Sequence, residues 1–428
     1  MEIRGMRLLS TLSLGEGMAG GEGLAMHVGA DGGRTLFVAS EKAPYDFVVV
    51  DVSHPSSPSV IYRHELAGPH VRSNNLAIHD DLLAVTRQVK EKGASPAGVE
   101  FFDISDPRQP RHVGFFDTSG GQSIGTHFVW LDGLGHAFLA SQGPDYAARD
   151  SRDQFMLKIL DVTDPSQPRE ISRWWMPGTQ RSDEVASPSR PHELVAASRG
   201  RTLTPEEVSA RRVSHGDVSS WDFGIRVHNT CVVPERPDRA YVAYTSGGGY
   251  VLDIADLAAP RVIGELRYGP VLPAAAHTFV PLGDSGFALL SDETLEEGAA
   301  DFPQMVWVVD LRLEDRPQIV GSLDMPWPDE VPSVGRFGAH NLHEYPTGQG
   351  AWRDFRVAAG AFFGLGAVVY DVADPLRPRE LARFVPGVSD DGRSLGQLND
   401  LFLDDRAVLY TIDRKSDACY ILQVEALQ

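Results

Sequence analysis

The chain has 428 residues, of which 42% are hydrophobic and 23% charged, and 59 acidic against 39 basic side chains leave a formal net charge of −20. That balance argues against a nucleic-acid or anionic-membrane partner. Two cysteines, Cys231 and Cys419, are too few for a disulfide framework, and no apolar run is long enough for a signal peptide or a membrane span. The expectation is a soluble cytoplasmic protein.

In chain order, Arg7 to Leu14 reads as one strand with no partner beside it in sequence. The first repeat follows, with the phrase Phe47-Val48-Val49-Val50-Asp51-Val52-Ser53-His54-Pro55. The phrase returns as Val99-Glu100-Phe101-Phe102-Asp103-Ile104-Ser105-Asp106-Pro107 and as Leu157-Lys158-Ile159-Leu160-Asp161-Val162-Thr163-Asp164-Pro165. It returns again as Ala367-Val368-Val369-Tyr370-Asp371-Val372-Ala373-Asp374-Pro375, with looser copies ending at Asp253 and Asp310. Each β-branched run predicts a buried strand, and each Asp-Pro a turn into a further short strand such as 111–116 or 261–266. Two more apolar runs precede each phrase, so each unit holds four strands, which is one propeller blade.

The phrase resembles the LVIVD repeat, named for its third-strand sequence, and the resemblance covers nearly the whole chain. It implies an all-β fold: a single seven-bladed β-propeller over residues 1–428. Blades one to three span 23–67, 70–118 and 121–177. Blades four to seven start near Ile225, Ala274, Gly338 and Gln397. After Asn399–Leu403, Ala407–Ile412 and Ala418–Val424, the last blade lacks one strand. The N-terminal strand is therefore expected to complete it and close the ring, which removes exposed edges. Residues 178–222 interrupt the pattern as a polar insertion, a lid or a flexible loop, with Thr204 and Glu207 suggesting a short capped helix. Pro326-Trp327-Pro328 and Pro332 mark a rigid connector. Long second-to-third-strand connections at 88–98, 142–154 and 293–304 predict a walled pocket over one end of the axis.

Aligning the first strand of each blade gives Asn75, His127, His228, His277, His340 and Asn399, with Glu22 or Gly23 in blade one. Four successive blades thus carry His at one register of the innermost strand, where symmetry would converge the imidazoles on the axis. Four neutral imidazoles favour a divalent transition metal such as Fe(II), Cu, Ni or Zn over Ca or Mg, with Mn a further alternative. The constellation resembles that of carotenoid- and stilbene-cleaving dioxygenases, which implies Fe(II). More distantly, the Asp-Ile-Ser-Asp-Pro phrase is similar to that of selenium-binding proteins, which include thiol oxidases. Around the four ligands, Glu344, Asp292 and Glu293 are the candidates to orient the imidazoles; His343, three residues from His340 and so on the opposite face of its strand, is expected to stand behind the ligands or to contact the neighbouring blade. Asn75 and Asn399 are expected to line an open side for substrate. His70, Arg72, Tyr146, Arg226, Arg336 and Phe337 are further mouth residues, and an arginine beside a metal suits a carboxylate or phenolate. The expected function is a metal-dependent oxidoreductase, most simply an oxygenase acting on a small organic molecule. A metal-dependent lyase or hydrolase and a non-enzymatic binding propeller are the alternatives; oligomeric state is not encoded in these features.

Overall fold

A computed structural model describes residues 1–66, 68–150, 152–186, 188, 224–268, 275–301, 303–387 and 395–428. Among these the chain is almost wholly β-structure, folded as a propeller of antiparallel sheets of about four strands each. The helix expected near Thr204, and most of the 178–222 insertion, lie outside the described residues.

The local reason for the repeat is visible in its aspartate. In all six copies the carboxylate accepts the backbone N–H two residues on, at 2.9–3.1 Å, as in Asp51 to Ser53 and Asp371 to Ala373. In four copies its other oxygen meets the Arg eight residues on, as in Asp161–Arg169 at 2.9 Å and Asp253–Arg261 at 2.7 Å. The aspartate therefore closes the turn and clamps the fourth strand onto the third. These contacts, the backbone N–H first, hold Asp103 down to about 2.

The third strands are buried on both faces, which is why they read as continuous apolar runs. Phe37, Phe47 and Val49 of one sheet, for example, pack on Leu83, Val85 and Phe102 of the next. One larger core runs from Ile124 to Val372 through successive sheets.

Among the described residues six sheets are formed, one of them nine-stranded. Within it, the four strands Phe337–Leu342, Val357–Phe363, Ala367–Asp371 and Arg379–Val385 meet Leu398–Leu403, Val408–Asp413 and Ala418–Val424 through a single pair, Phe363 with Leu398. The N-terminal strand, Met6–Ser13, pairs with Ala418–Val424 from Met6↔Val424 to Ser13↔Ala418, as its unpaired sequence suggests. A three-residue strand that the sequence does not announce, Glu2–Arg4, adds itself to the edge of Arg379–Val385. In the second sheet the inner strand is broken into Val71–Arg72 and Leu76–His79, both paired with Leu82–Val89.

Candidate metal centre

Every other inner strand carries a register shift at the position that faces the axis. Pairing skips from Thr126 to Phe128, from Val227 to Thr230, from Ala276 to Thr278 and from Phe337 to Asn341. The skipped residues include His127, His228, His277 and His340. The same shift skips Glu22 between Gly20 and Leu24, and Asn399 between Leu398 and Asp400. A β-bulge re-aims the side chain of its extra residue. Alternation alone would alternate these residues between the two faces of a sheet; the bulge frees each one from the ladder. Gly125 and Gly338, two residues before His127 and His340, allow the bend: at φ +92° and +149° an added Cβ would lie 2.1 Å from Arg87 O and 1.9 Å from Thr294 Oγ1.

The four imidazoles are buried and consecutive around the axis, with ring centroids 4.6 Å (His127–His228), 3.9 Å (His228–His277) and 4.5 Å (His277–His340) apart. Each Nδ1 is taken. His127 meets Gln88 Oε1 at 3.2 Å, His228 meets Asn229 Oδ1 at 2.8 Å, His277 meets Thr278 Oγ1 at 2.8 Å, and His340 meets the Asn399 carbonyl at 2.7 Å. The amide orientations are fixed in turn, because Gln88 Oε1 accepts from Arg72 Nε and Asn229 Nδ2 donates to Glu344 Oε1 at 2.7 Å. For His127, His228 and His340 the Nδ1 partner is an acceptor, so Nδ1 carries the proton and Nε2 presents a lone pair.

Those lone pairs face one another. His127 Nε2 lies 3.1 Å from His228 Nε2. Glu22 Oε2 lies 3.6 Å from Nε2 of both His127 and His277, and its Oε1 lies 3.6 Å from His340 Nε2. Glu293 stands slightly farther off, 3.8 Å from His340 and 3.9 Å from His228. Nε2 of His277 and of His340 have no hydrogen-bond partner among the described residues. Separations of 3.6 Å are too long for hydrogen bonds. They resemble instead the spacing of donors around one ion, since bonds of about 2.1 Å put neighbouring ligands about 3.0–3.4 Å apart. Two sets, Glu22 with His228 and His277, and His277 with Glu293 and His340, hold their donor atoms within 4.8 Å of one another. Burial holds the His127 and His228 imidazoles well below their usual range and His340 down to about 3, so these rings stay neutral and able to ligate.

The surrounding candidates divide. Glu344 orients the imidazoles through Asn229: its carboxylate holds the amide that accepts from His228 and also donates to Thr278 at 3.2 Å, the partner of His277. Burial pushes Glu344 up to about 7. Arg336 donates to Glu293 at 2.9 Å, and Arg226 lies buried over the Phe155 ring. His343 contacts the neighbouring blade, with Trp352 O and Leu403 N taking both its ring nitrogens. Two expectations are corrected. Asp292 is structural, accepting from Tyr268 Oη at 2.5 Å and Trp307 Nε1 at 2.7 Å. Asn399 does not line the axial cavity; its amide donates to the Gly20 and Gly21 carbonyls, whereas Asn75 lines that cavity and its amide donates to the Glu22 carbonyl, so both anchor the strand that carries Glu22. His70 is exposed, 3.3 Å from the Ser95 carbonyl. Tyr146 is buried against Thr179, at the start of the insertion.

The sequence reading aligned Glu22, or Gly23, with the histidines without grouping its carboxylate with them, and it missed Asn74 altogether. Asn74 donates to Glu22 Oε2 at 2.9 Å and sits 3.4 Å from His127 Nε2; only the broken strand around it would have given it away. Beyond the imidazoles the axis opens into a small cavity of about 50 Å³ lined by Glu22, Asn341, Glu344 and Asp400 and then by apolar side chains such as Trp130 and Phe402. Burial raises Asp400 well above its usual range.

Comparisons with known proteins agree on architecture. The LVIVD repeat model matches residues 30–64. No curated protein sequence matches the chain. Among solved structures it is similar to a protein from Lactobacillus plantarum, at 12% identity and a TM-score of 0.54, covering 90% of this chain and 92% of that one. It is also similar to the Myceliophteria thermophila Cps50 (Swd1) β-propeller domain, at 10% identity and 0.54, covering 96% and 99%. U3-55K matches at 11% identity and 0.54, covering 97% and 98%. At such identities the likeness establishes the propeller fold and nothing finer. Among the described residues no helix is long and apolar enough to cross a membrane.

Proposed function

We propose that this protein is a transition-metal-dependent enzyme of the oxidoreductase class, most simply an oxygenase acting on a small organic molecule in the cytoplasm. Its ion would be held by His127, His228, His277 and His340, with Glu22 as a further ligand. We read the nine-stranded sheet as two blades, because one residue pair joins its halves, which gives a single domain of seven blades over residues 1–428. The observation that carries the metal reading is the converging set of lone pairs at 3.1–3.6 Å. A single proton could bridge two of those acceptors; an ion serves all of them. Imidazole-rich ligation favours Fe(II), with Cu, Zn or Mn as alternatives.

A bound ion would supply a redox couple or a Lewis acid at the axis. The chain's own contribution is positional. Gln88, Asn229, Thr278 and the Asn399 carbonyl keep each Nε2 turned inward, and Glu293, held by Arg336, presents a carboxylate beside His228 and His340. A metal-dependent lyase or hydrolase is the second reading, favoured by the Glu22 and Glu293 carboxylates, which suit Zn or Mn better than an all-imidazole set does.

Elemental analysis of purified protein tests the proposal. Iron or copper at about one ion per chain supports the oxidoreductase, and zinc or manganese the second reading. The quadruple His→Ala variant should lose the ion and keep its β-sheet circular dichroism. Full metal content in that variant, or wild-type protein that takes up no transition metal after refolding in its presence, would leave a binding propeller.

A further inference from the structure

Outside the imidazole ring, on the side where the inner strands begin, four arginines gather around the axis. Arg226 and Arg336 precede His228 and His340 on their strands, and Arg72 precedes Asn75. Arg414 follows Asp413, the residue paired with Leu398 at the start of its inner strand. All four guanidiniums therefore stand at the same end, opposite the cavity lined by Glu344 and Asp400. In a chain of net charge −20 this gathering needs a reason.

The packing is specific. Phe155 stacks on His127 at 5.5 Å, and the Arg226 guanidinium lies 5.2 Å from the same ring. Three inner strands away, Phe363 stacks on His340 at 4.3 Å, with Arg336 and Arg414 at 5.4 and 5.5 Å from it. Imidazole, phenyl and guanidinium thus form a layered wall twice. Arg72 reaches the ring differently, through Gln88 to His127. A stacked guanidinium engages the phenyl through its flat face, while its N–H donors lie in the plane, and a carboxylate needs two of the five. Arg336 also holds Glu293 at 2.9 Å, and Arg414 lies 3.4 Å from Glu41, so these arginines are set in place rather than trailing in solvent.

We propose that the substrate is a small organic anion, a carboxylate or phenolate, whose charge is taken up by Arg226, Arg336 and Arg414 on the strand-entry side of the imidazole ring. The inference rests on the metal reading only for what happens to the substrate; the cationic wall stands without it.

Benzoate, with its isosteres benzamide and benzamidine, tests the charge rule by titration calorimetry on the full chain, both metal-free and loaded with Co(II). Benzoate should bind and benzamidine should not, with benzamide weaker than benzoate. Arg414→Gln, a partly buried position, and Arg226→Lys, which keeps the charge and loses the planar fork, should each weaken benzoate at least about tenfold, the size of one charge-assisted hydrogen bond. The Co(II) absorption bands should be unchanged in both. Equal binding of the three isosteres, or benzoate binding that neither variant alters, overturns the proposal. Wild-type protein without Co(II) bands sinks the metal reading alone, and benzoate preference in the metal-free protein then still decides the anion.

Discussion

Replacing Asn229 by Leu removes one amide and, with it, the orientation of two proposed ligands. Asn229 Oδ1 accepts from His228 Nδ1, and its Nδ2 reaches both Glu344 and the Thr278 hydroxyl that meets His277. Loss of an orienting partner costs about 10–100-fold in metal affinity, or about 1.4–2.8 kcal/mol. Because two imidazoles lose their hold at once, Asn229→Leu should fall at the upper end. The buried Glu344 carboxyl also loses its donor, which costs about 1–3 kcal/mol of stability. Competition for Zn(II) or Co(II) against a chromophoric chelator reads the first effect, and urea unfolding of metal-free protein reads the second. A folded Asn229→Leu variant that binds either ion as tightly as wild type would refute the orienting role.

Glu344 also predicts a pH dependence. Its folded value of about 7 lies above that of an unfolded Glu, so between those values the unfolded chain gives up its proton first. Stability contributed by the protonated carboxyl is thus complete below the unfolded value and lost as pH rises to about 7. Glu344→Gln should flatten that decline in metal-free protein; Asp292 and Asp301, both raised to about 6 by burial, decline alike in both forms. Identical urea midpoints at pH 5 and 7.5 in wild type and variant, relative to each other, would count against it. Deleting residues 1–14 strips the partner from Ala418–Val424 and exposes the buried Met6 and Leu14 contacts, each worth about 1.5–3 kcal/mol. The truncated chain should melt earlier and self-associate through the bared edge, visible by light scattering; an unchanged melting temperature and a monodisperse profile would contradict the pairing.

Architecture was legible because it repeats. The Asp-Pro phrase states where each third strand ends, and its aspartate does the same turn-closing work in every copy. The histidine register was legible for the same reason. Its geometry was not: a bulge is a property of two strands together, and no pattern within one strand announces that His277 or Glu22 is the unpaired extra residue. Asn399 was misassigned on that account, since its register matches the histidines while its amide serves the Gly20 and Gly21 carbonyls. Asp292 was drawn in by its place beside Glu293 at the end of a second strand, whereas hydrogen bonds from Tyr268 and Trp307 already occupy it. The Glu2–Arg4 strand is too short to carry a pattern.

The pairing of Met6–Ser13 with Ala418–Val424 also sets an order of events during synthesis. The strand Met6–Ser13 leaves the ribosome long before its partner Ala418–Val424, so for the synthesis of the intervening blades it has no native neighbour. Its sequence, Met-Arg-Leu-Leu-Ser-Thr-Leu-Ser, must stay out of foreign sheets meanwhile, and Arg4 and Arg7 on and beside it act as charged guards against edge-to-edge association. The axial residues depend on the same late event. Glu22 follows that strand, and Asn399 from the far end of the chain holds the Gly20 and Gly21 carbonyls beside it. A nascent chain therefore has all four histidines before Glu22 is anchored beside them, and on the proposed reading competence to hold an ion would arrive with that seam.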